Sequence, residues 1–215
     1  MNIFDEGSPV LRFLNRVTDL LVLNLLALLM CLPVVTAGAS LTAMHYVLLK
    51  LVRDEEGYIA KSFFRSFKRN FLQATVIWLI FAALWVLTIS NLVMIVQGSG
   101  KFPIWLPAAV LFAALILLVV MLYTFAMLSR YDNTILQMLF NACSLAFSRL
   151  PQSLEMLAIL VVPAILVMRF PVLMPFYVLF GLSAPGYACA MVYDPIFRKI
   201  EKQMGEEEQA QEPEE

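Results

Sequence analysis

Few residues in this chain could do chemistry, and the first of them is its only histidine, His45. It lies in an apolar stretch, ASLTAMHYVLLK, where an ionisable side chain is costly and therefore a candidate proton relay or pH sensor. A neutral imidazole bonded to a neighbouring helix is the plainer reading. Just before it stand Pro33, Thr36 and Gly38. Pro33 cannot donate to a helix ladder and Gly38 permits a tight reversal, so the segment reads as a hairpin turn. Its alternative is a broken helix lining a path at membrane depth. Ala39, Ser40 and Ala43 add a small-residue face for close helix contact. Asn24 and Asn91 are amides in apolar runs and read as groups that bond across helices. Asn24, Pro33, Thr36, Gly38 and His45 are the candidate cavity or hinge residues. Arg16 and Asp19, three apart, are expected to pair. Glu155 and Arg169 fall at the two ends of one apolar run, where Arg169 can snorkel.

No constellation of these residues makes a catalytic centre. Cys31, Cys143 and Cys189 are isolated in apolar surroundings, with no CxxC and no metal spacing, and read as small core residues. There is no HExxH, no Walker A glycine loop, and no Ser-His-Asp set around His45. No apolar run carries a clear mid-membrane Asp or Glu, which argues against an ordinary proton- or sodium-coupled transporter. The expectation is a non-enzymatic protein with no catalytic, cofactor or metal site and no nucleic-acid partner.

The elements that must position these residues are membrane helices. Of 215 residues, 61% are hydrophobic and only 14% charged, and the mean hydropathy is +0.83. Soluble domains carry about 25% charged residues. Apolar runs fall at 17–36, 38–52, 74–96, 104–128, 154–170 and 172–192, against the roughly 20 residues that a crossing helix needs. Ser8 and Pro9 supply an N-cap and a first helical residue for the first run. No cleavable signal peptide is expected, since that run follows Arg12 and Arg16 and reads as a retained span.

Charge gives the sidedness. With six spans and an inside N-terminus, the cytoplasmic side collects Arg12, Arg16, Lys50, Arg53, Lys61, Arg65, Lys68, Arg69, Arg130, Arg149, Arg198, Lys199 and Lys202. Lys101 and Arg169 alone remain outside, a thirteen-to-two positive-inside split. If 38–52 does not cross, five spans remain and the split weakens to eleven against four.

Two further helices are expected to lie along the inner surface. In YIAKSFFRSFKRNFLQ (58–73), Lys61, Arg65, Lys68 and Arg69 share one sector, and Ile59, Phe63, Phe64, Phe67 and Phe71 the opposite one. A cationic face backed by rings suits an anionic membrane surface. In TILQMLFNACSLAFSRL (134–150), Thr134, Gln137, Asn141, Ser144 and Ser148 oppose Leu136, Leu139, Phe140, Cys143, Phe147 and Leu150. An offset of 80 superposes Lys50 on Arg130, Phe67 on Phe147 and Arg69 on Arg149, a faint sign of duplication. Lys61, Arg65, Lys68, Arg69, Asn70, Arg130, Asn141 and Arg149 make up the candidate membrane-surface or partner face. The tail EEEQAQEPEE holds six of the sixteen acids and is expected to be disordered.

Asn24 and the run from Cys31 to Gln73 resemble the YesL-like family of bacterial membrane proteins. The resemblance is carried by Pro33, Thr36 and Gly38 as a Pro-x-x-Thr-x-Gly turn, and by Phe64, Phe67 and Asn70 in a Phe-rich basic segment. Arg130–Tyr131–Asp132–Asn133 and Asn141–Ala142 extend it towards residue 200. It implies an integral membrane protein of Gram-positive bacteria and relatives, commonly encoded beside oligosaccharide ABC importers and polysaccharide-degrading enzymes. It brings no activity and no catalytic residues.

The sum is an all-α polytopic bundle of six spans, or five, with two cytoplasmic in-plane helices. Residues 1–200 form one membrane domain and 201–215 a disordered acidic tail. Both termini are expected inside the bacterial plasma membrane, with anionic lipid at the cytoplasmic face. The expected role is accessory or regulatory to carbohydrate ABC uptake, with importer subunits as partners and the layer of 58–73 and 134–150 as working surface. The alternative is a small solute or lipid facilitator using the Pro33–Gly38 break and His45.

Overall fold

A computed structural model of the chain describes residues 9–55, 57–98, 102–103 and 105–211. Among them every regular element is helical: α1 Pro9–Cys31, α2 Ala37–Val52, α3 Ile59–Gln97, α4 Trp105–Leu128, α5 Ile135–Ser148, α6 Leu150–Arg169, α7 Met174–Phe180 and α8 Ser183–Gln211. Short 3₁₀ turns, Val34–Thr36 and Pro171–Leu173, precede α2 and α7. Five helices, α2 with its leading turn among them, are long and apolar enough to cross a membrane, and six if the bent pair α7–α8 counts as one span. The all-α membrane-type bundle read from composition is therefore the observed architecture. Ser8 and Lys101 lie outside the described residues.

The centre of the bundle is α2, which packs against α1, α3, α4 and α8. Residues 38–52 are the shortest of the apolar runs, and they are also the most enclosed. Ala39, Ala43 and Leu48 are fully buried. The small face works as expected, because Ser40 Oγ donates to the Ala27 carbonyl of α1 across 2.9 Å. Gly38 is where α3 crosses most closely. A Cβ there would stand 2.5 Å from the Ala74 carbonyl oxygen and 2.5 Å from the Trp78 Cβ, so only glycine fits.

Segment 58–73 corrects one expectation. It is no separate in-plane helix: α3 runs unbroken for 39 residues, a length of about 58 Å at 1.5 Å per residue. No Gly or Pro interrupts Ile59–Gln97, so nothing turns the chain between the basic segment and the apolar run. Most of its ring face is turned inward as well, with Phe64 the one ring left exposed. Phe63, Ser66 and Asn70 are buried and continue in register through Ala74, Ile77 and Phe81. Most of this face packs on the antiparallel α2, which is why the rings are there.

The second amphipathic helix stands apart from its span. Pro151 lacks an N–H and restricts the residue before it, and Arg149 takes a non-helical conformation between α5 and α6. The helix α5 packs through Met138, Ala142 and Ala146, while Leu136, Phe140 and Phe147 face outward. The two proposed repeat units thus differ, one continuous and one broken.

The tail also differs from expectation. The helix α8 continues to Gln211, with Glu201 held by Arg53 and Arg130 at the bundle end; residues 212–215 lie outside the described set. Substituting Gly38 tests the central crossing. Gly38→Val should destabilise the detergent-solubilised protein by about 1–3 kcal/mol, read as a lower melting temperature, whereas Gly98→Ala, beside the flexible ring of Phe102, should be far milder.

Candidate functional site

Asn24 is held by three hydrogen bonds. It sits fully buried on α1, opposite the break between α7 and α8, where the two helix axes bend by 61°. Breaking a helix strands carbonyls on one side and N–H groups on the other. Asn24 satisfies both. Its Nδ2 donates to the Val178 carbonyl at 2.8 Å, and its Oδ1 accepts from the Leu182 and Ser183 amides at 3.0 and 3.1 Å. The expectation that Asn24 bonds across helices holds, with backbone as partner. Asn91 does not bridge helices: it is exposed and donates to Leu87 of its own helix at 2.9 Å.

The break opens a groove of about 660 Å³ between α6 and α7–α8. Its walls include Val162, Leu166, Phe176, Phe180 and Ala184. Neither His45 nor the Pro33–Gly38 turn lines it. Pro33 is exposed, Gly38 is closed against α3, and Thr36 Oγ1 donates to the Met30 and Pro33 carbonyls, as a structural turn requires. His45 Nδ1 and the Tyr193 hydroxyl share a 2.9 Å hydrogen bond inside the core. The imidazole thus bonds to a side chain of a neighbouring helix, as the plainer of its two readings has it.

Just beyond Tyr193 lies a cluster that the sequence reading did not assemble. Arg53 caps the end of α2, and its Nε donates to Asp194 at 2.6 Å. Its two terminal nitrogens donate to Glu201 at 3.0 and 3.2 Å. Arg198 takes the other oxygen of Asp194 at 2.7 Å, and Arg130 reaches Glu201 at 2.9 Å. The Arg53 and Asp194 side chains are only 9% and 6% exposed, so the cluster is buried at its centre, while Glu201, Arg130 and Arg198 lie at its open edge. Burial opposes the charge on Arg53, but the hydrogen bonds and charges of Glu201 and Asp194 outweigh it and raise its pKa. Beside it, burial and then the Glu201 carboxylate push the Tyr131 phenol up to about 12, and its hydroxyl reaches the Phe197 carbonyl at 3.4 Å. The signal was present as Asp194, Arg198 and Glu201 at helical spacing. Glu201 falls in the segment read as a disordered tail, and Asp194, just past the last apolar run, is given no role.

The basic face is where the spacing put it. Lys61, Arg65, Lys68 and Arg69 are exposed on α3, and Arg69 approaches Asp132 at 3.9 Å. Asn70 departs from the expected surface: it is buried and donates to Ser66 Oγ at 3.3 Å, because it falls on the side of α3 that packs inward. Asn141 is exposed on α5, Arg149 is half-buried at the α5–α6 junction, and Arg130 is drawn into the ionic cluster. Arg16 does not choose Asp19 but pairs with Asp54 across the α1–α2 end, where Asp54 closes the turn with a φ of 52°. Cys31, Cys143 and Cys189 are free thiols, and no group of three or more metal-ligating side chains occurs among the described residues.

Residues 20–92 match a family model described as "Protein of unknown function, DUF624". The match covers about a third of the chain, from the last turns of α1 through the α2 hairpin to most of α3. It contains Asn24, Gly38, His45, Arg53 and the basic face, but not α7, Asp194 or Glu201. No curated protein and no solved structure matches the chain.

Two substitutions separate these sites. Asn24→Leu orphans three backbone groups, at roughly 1–3 kcal/mol for each one left buried, and should lower the melting temperature clearly more than Asn91→Leu. Asp194→Asn removes one of the two carboxylates that hold Arg53, leaving Glu201, and should cost less than the roughly 3–5 kcal/mol of a fully broken buried pair. The double change Arg53→Leu/Asp194→Leu should cost less than the sum of the two single ones, measured as a double-mutant cycle in the same detergent.

Proposed function

We propose that this protein is a non-enzymatic accessory subunit of carbohydrate uptake, docking on an oligosaccharide ABC importer at the cytoplasmic face of the bacterial plasma membrane. The observation that carries the reading is the basic face of α3. Lys61, Arg65, Lys68 and Arg69 are exposed, while Phe63, Ser66 and Asn70 on the same helix are locked into the core. Four cations are thus presented on a rigid rod rather than a loose surface helix, which suits a protein partner more than lipid alone, since rigid presentation lowers the ordering cost of docking. Exposed apolar side chains on α5, including Leu136 and Phe140, extend the surface. The YesL-like resemblance supplies the carbohydrate context, and the DUF624 match over the same helix is consistent with it. Positive-inside bias supports cytoplasmic termini.

A second reading, a facilitator for a solute or lipid, is favoured by one observation: a helix broken at 181–182 beside an open groove. The apolar lining of that groove suits lipid better than sugar, which needs converging polar groups.

The test is affinity purification from native membranes. Importer subunits should co-purify, and Lys61→Glu/Arg65→Glu/Lys68→Glu should reduce their recovery at least tenfold without changing the melting temperature. Unaltered sugar uptake and unaltered importer abundance in a deletion strain would sink the proposal.

A further inference from the structure

The groove between α6 and α7–α8 has a definite chemistry. The two walls approach each other at Met156, whose carbonyl lies 3.9 Å from Cys189 Sγ, and then separate. Ala158 on one side and Gly181, Ala184 and Ala188 on the other are too small to fill the space between them, and the 61° bend turns α7 off the line of α8. What remains is about 660 Å³ of apolar space, open to the surface on which Ile165, Met168 and Val178 are exposed.

We propose that this groove holds one acyl chain of a glycerophospholipid, with the lipid phosphate at Arg169. Three observations converge on that occupant. The lining is almost wholly aliphatic and aromatic, with Tyr177 the one side chain that carries a polar group, so it offers a sugar or peptide backbone few polar partners. The α6 residues that line the groove run from Ala158 to Val167, about 14 Å at 1.5 Å per residue, close to half of a hydrocarbon core about 30 Å thick and therefore to the depth of one leaflet. At its end stands Arg169, exposed in the last turn of α6. Residues 159, 162 and 166 line the groove, and 169 continues that helical sector. A guanidinium there can take two phosphate oxygens in a fork. The site is independent of the accessory role, since it lies on different helices from the basic face and its test reads a different quantity.

The experiment uses the full chain reconstituted in phosphatidylcholine vesicles doped with phosphatidylglycerol carrying a photoactivatable diazirine in its acyl chain. After illumination, label should concentrate on peptides covering 158–188 rather than on the equally apolar surface of 79–96. Ala184→Phe, which fills the groove, should reduce labelling of 158–188 at least tenfold and leave 79–96 unchanged. Arg169→Gln changes an exposed side chain and leaves the fold alone. It should abolish a severalfold preference for the phosphatidylglycerol probe over a diacylglycerol probe with the same chain. Equal labelling of the two surfaces, equal labelling of wild type by both probes, or cross-links joining two copies of the chain through this groove would each overturn the assignment.

Discussion

A helix that breaks among apolar neighbours must find partners for the backbone groups it strands, and in this molecule one side chain, Asn24, supplies them. A side-chain amide carries its donor and its acceptor on separate atoms, so it can serve a stranded carbonyl and stranded N–H groups at once. Nδ2 closes the last turn of α7 and Oδ1 opens the first turn of α8. The consequence reaches beyond the break itself. With α8 started at Ser183 against α1, its next turns bring Tyr193 to His45 and Asp194 to Arg53. A leucine of similar volume at position 24 would fill the space and leave the same backbone unsatisfied, in surroundings with no water to take its place.

The ionic cluster holds α8 at a second point and fixes what Asn24 alone does not, its rotation about its own axis. Asp194, Arg198 and Glu201 lie on one face of α8, and the Arg53 fork splits between the two carboxylates. Turning α8 by one residue, or 100°, would carry both acids away from Arg53 and leave a buried guanidinium unpaired. Such an arrangement is a poor source of net stability but a steep penalty on any other register. Arg130 makes the same demand from the end of α4, through Glu201. Two short polar contacts, some distance apart along one helix, therefore position the C-terminal third of the bundle.

What could be read in the sequence follows from what each signal measures. Hydropathy reports how apolar a run is, and the apolar runs do form helices. Periodicity reports that a helix has two unlike faces, and in α3 it put Lys61, Arg65, Lys68 and Arg69 together on one exposed side. It could not say what the other face touches. Phe63 and Phe67 satisfy the same pattern whether they meet lipid or α2, and only the partner decides. The absence of Gly and Pro through 59–97 did favour one long helix over an elbow. Asn24 was singled out because an amide in an apolar run must be bonded, yet its partners lie more than 150 residues away on backbone atoms that carry no residue-type signature. Asp194 and Glu201 were invisible for a different reason. Composition divides them, Asp194 just past the last apolar run and Glu201 in the acidic tail, and so separates two acids whose spacing of seven residues puts them on one helix face.

The distribution of packing completes the physical picture. In α3 the fully enclosed residues stop at Phe81, and in α4 they begin at Val119. The remaining halves of both helices, with most of α6 and α7, present large side chains outward, among them Val96 at 73% and Met168 at 84% exposed. In water such a surface would drive aggregation. In a bilayer it is solvated, and burying it against another helix brings no hydrophobic gain, because lipid chains are as apolar as leucine. Helices in that half are therefore free to splay, and the space between α6 and α7–α8 can stay open at little cost. The tightly packed half can exist because its interior is different in kind: hydrogen bonds and ion pairs from Asn24, Ser40, His45, Arg53 and Asp194 hold helices together where apolar contact alone would not.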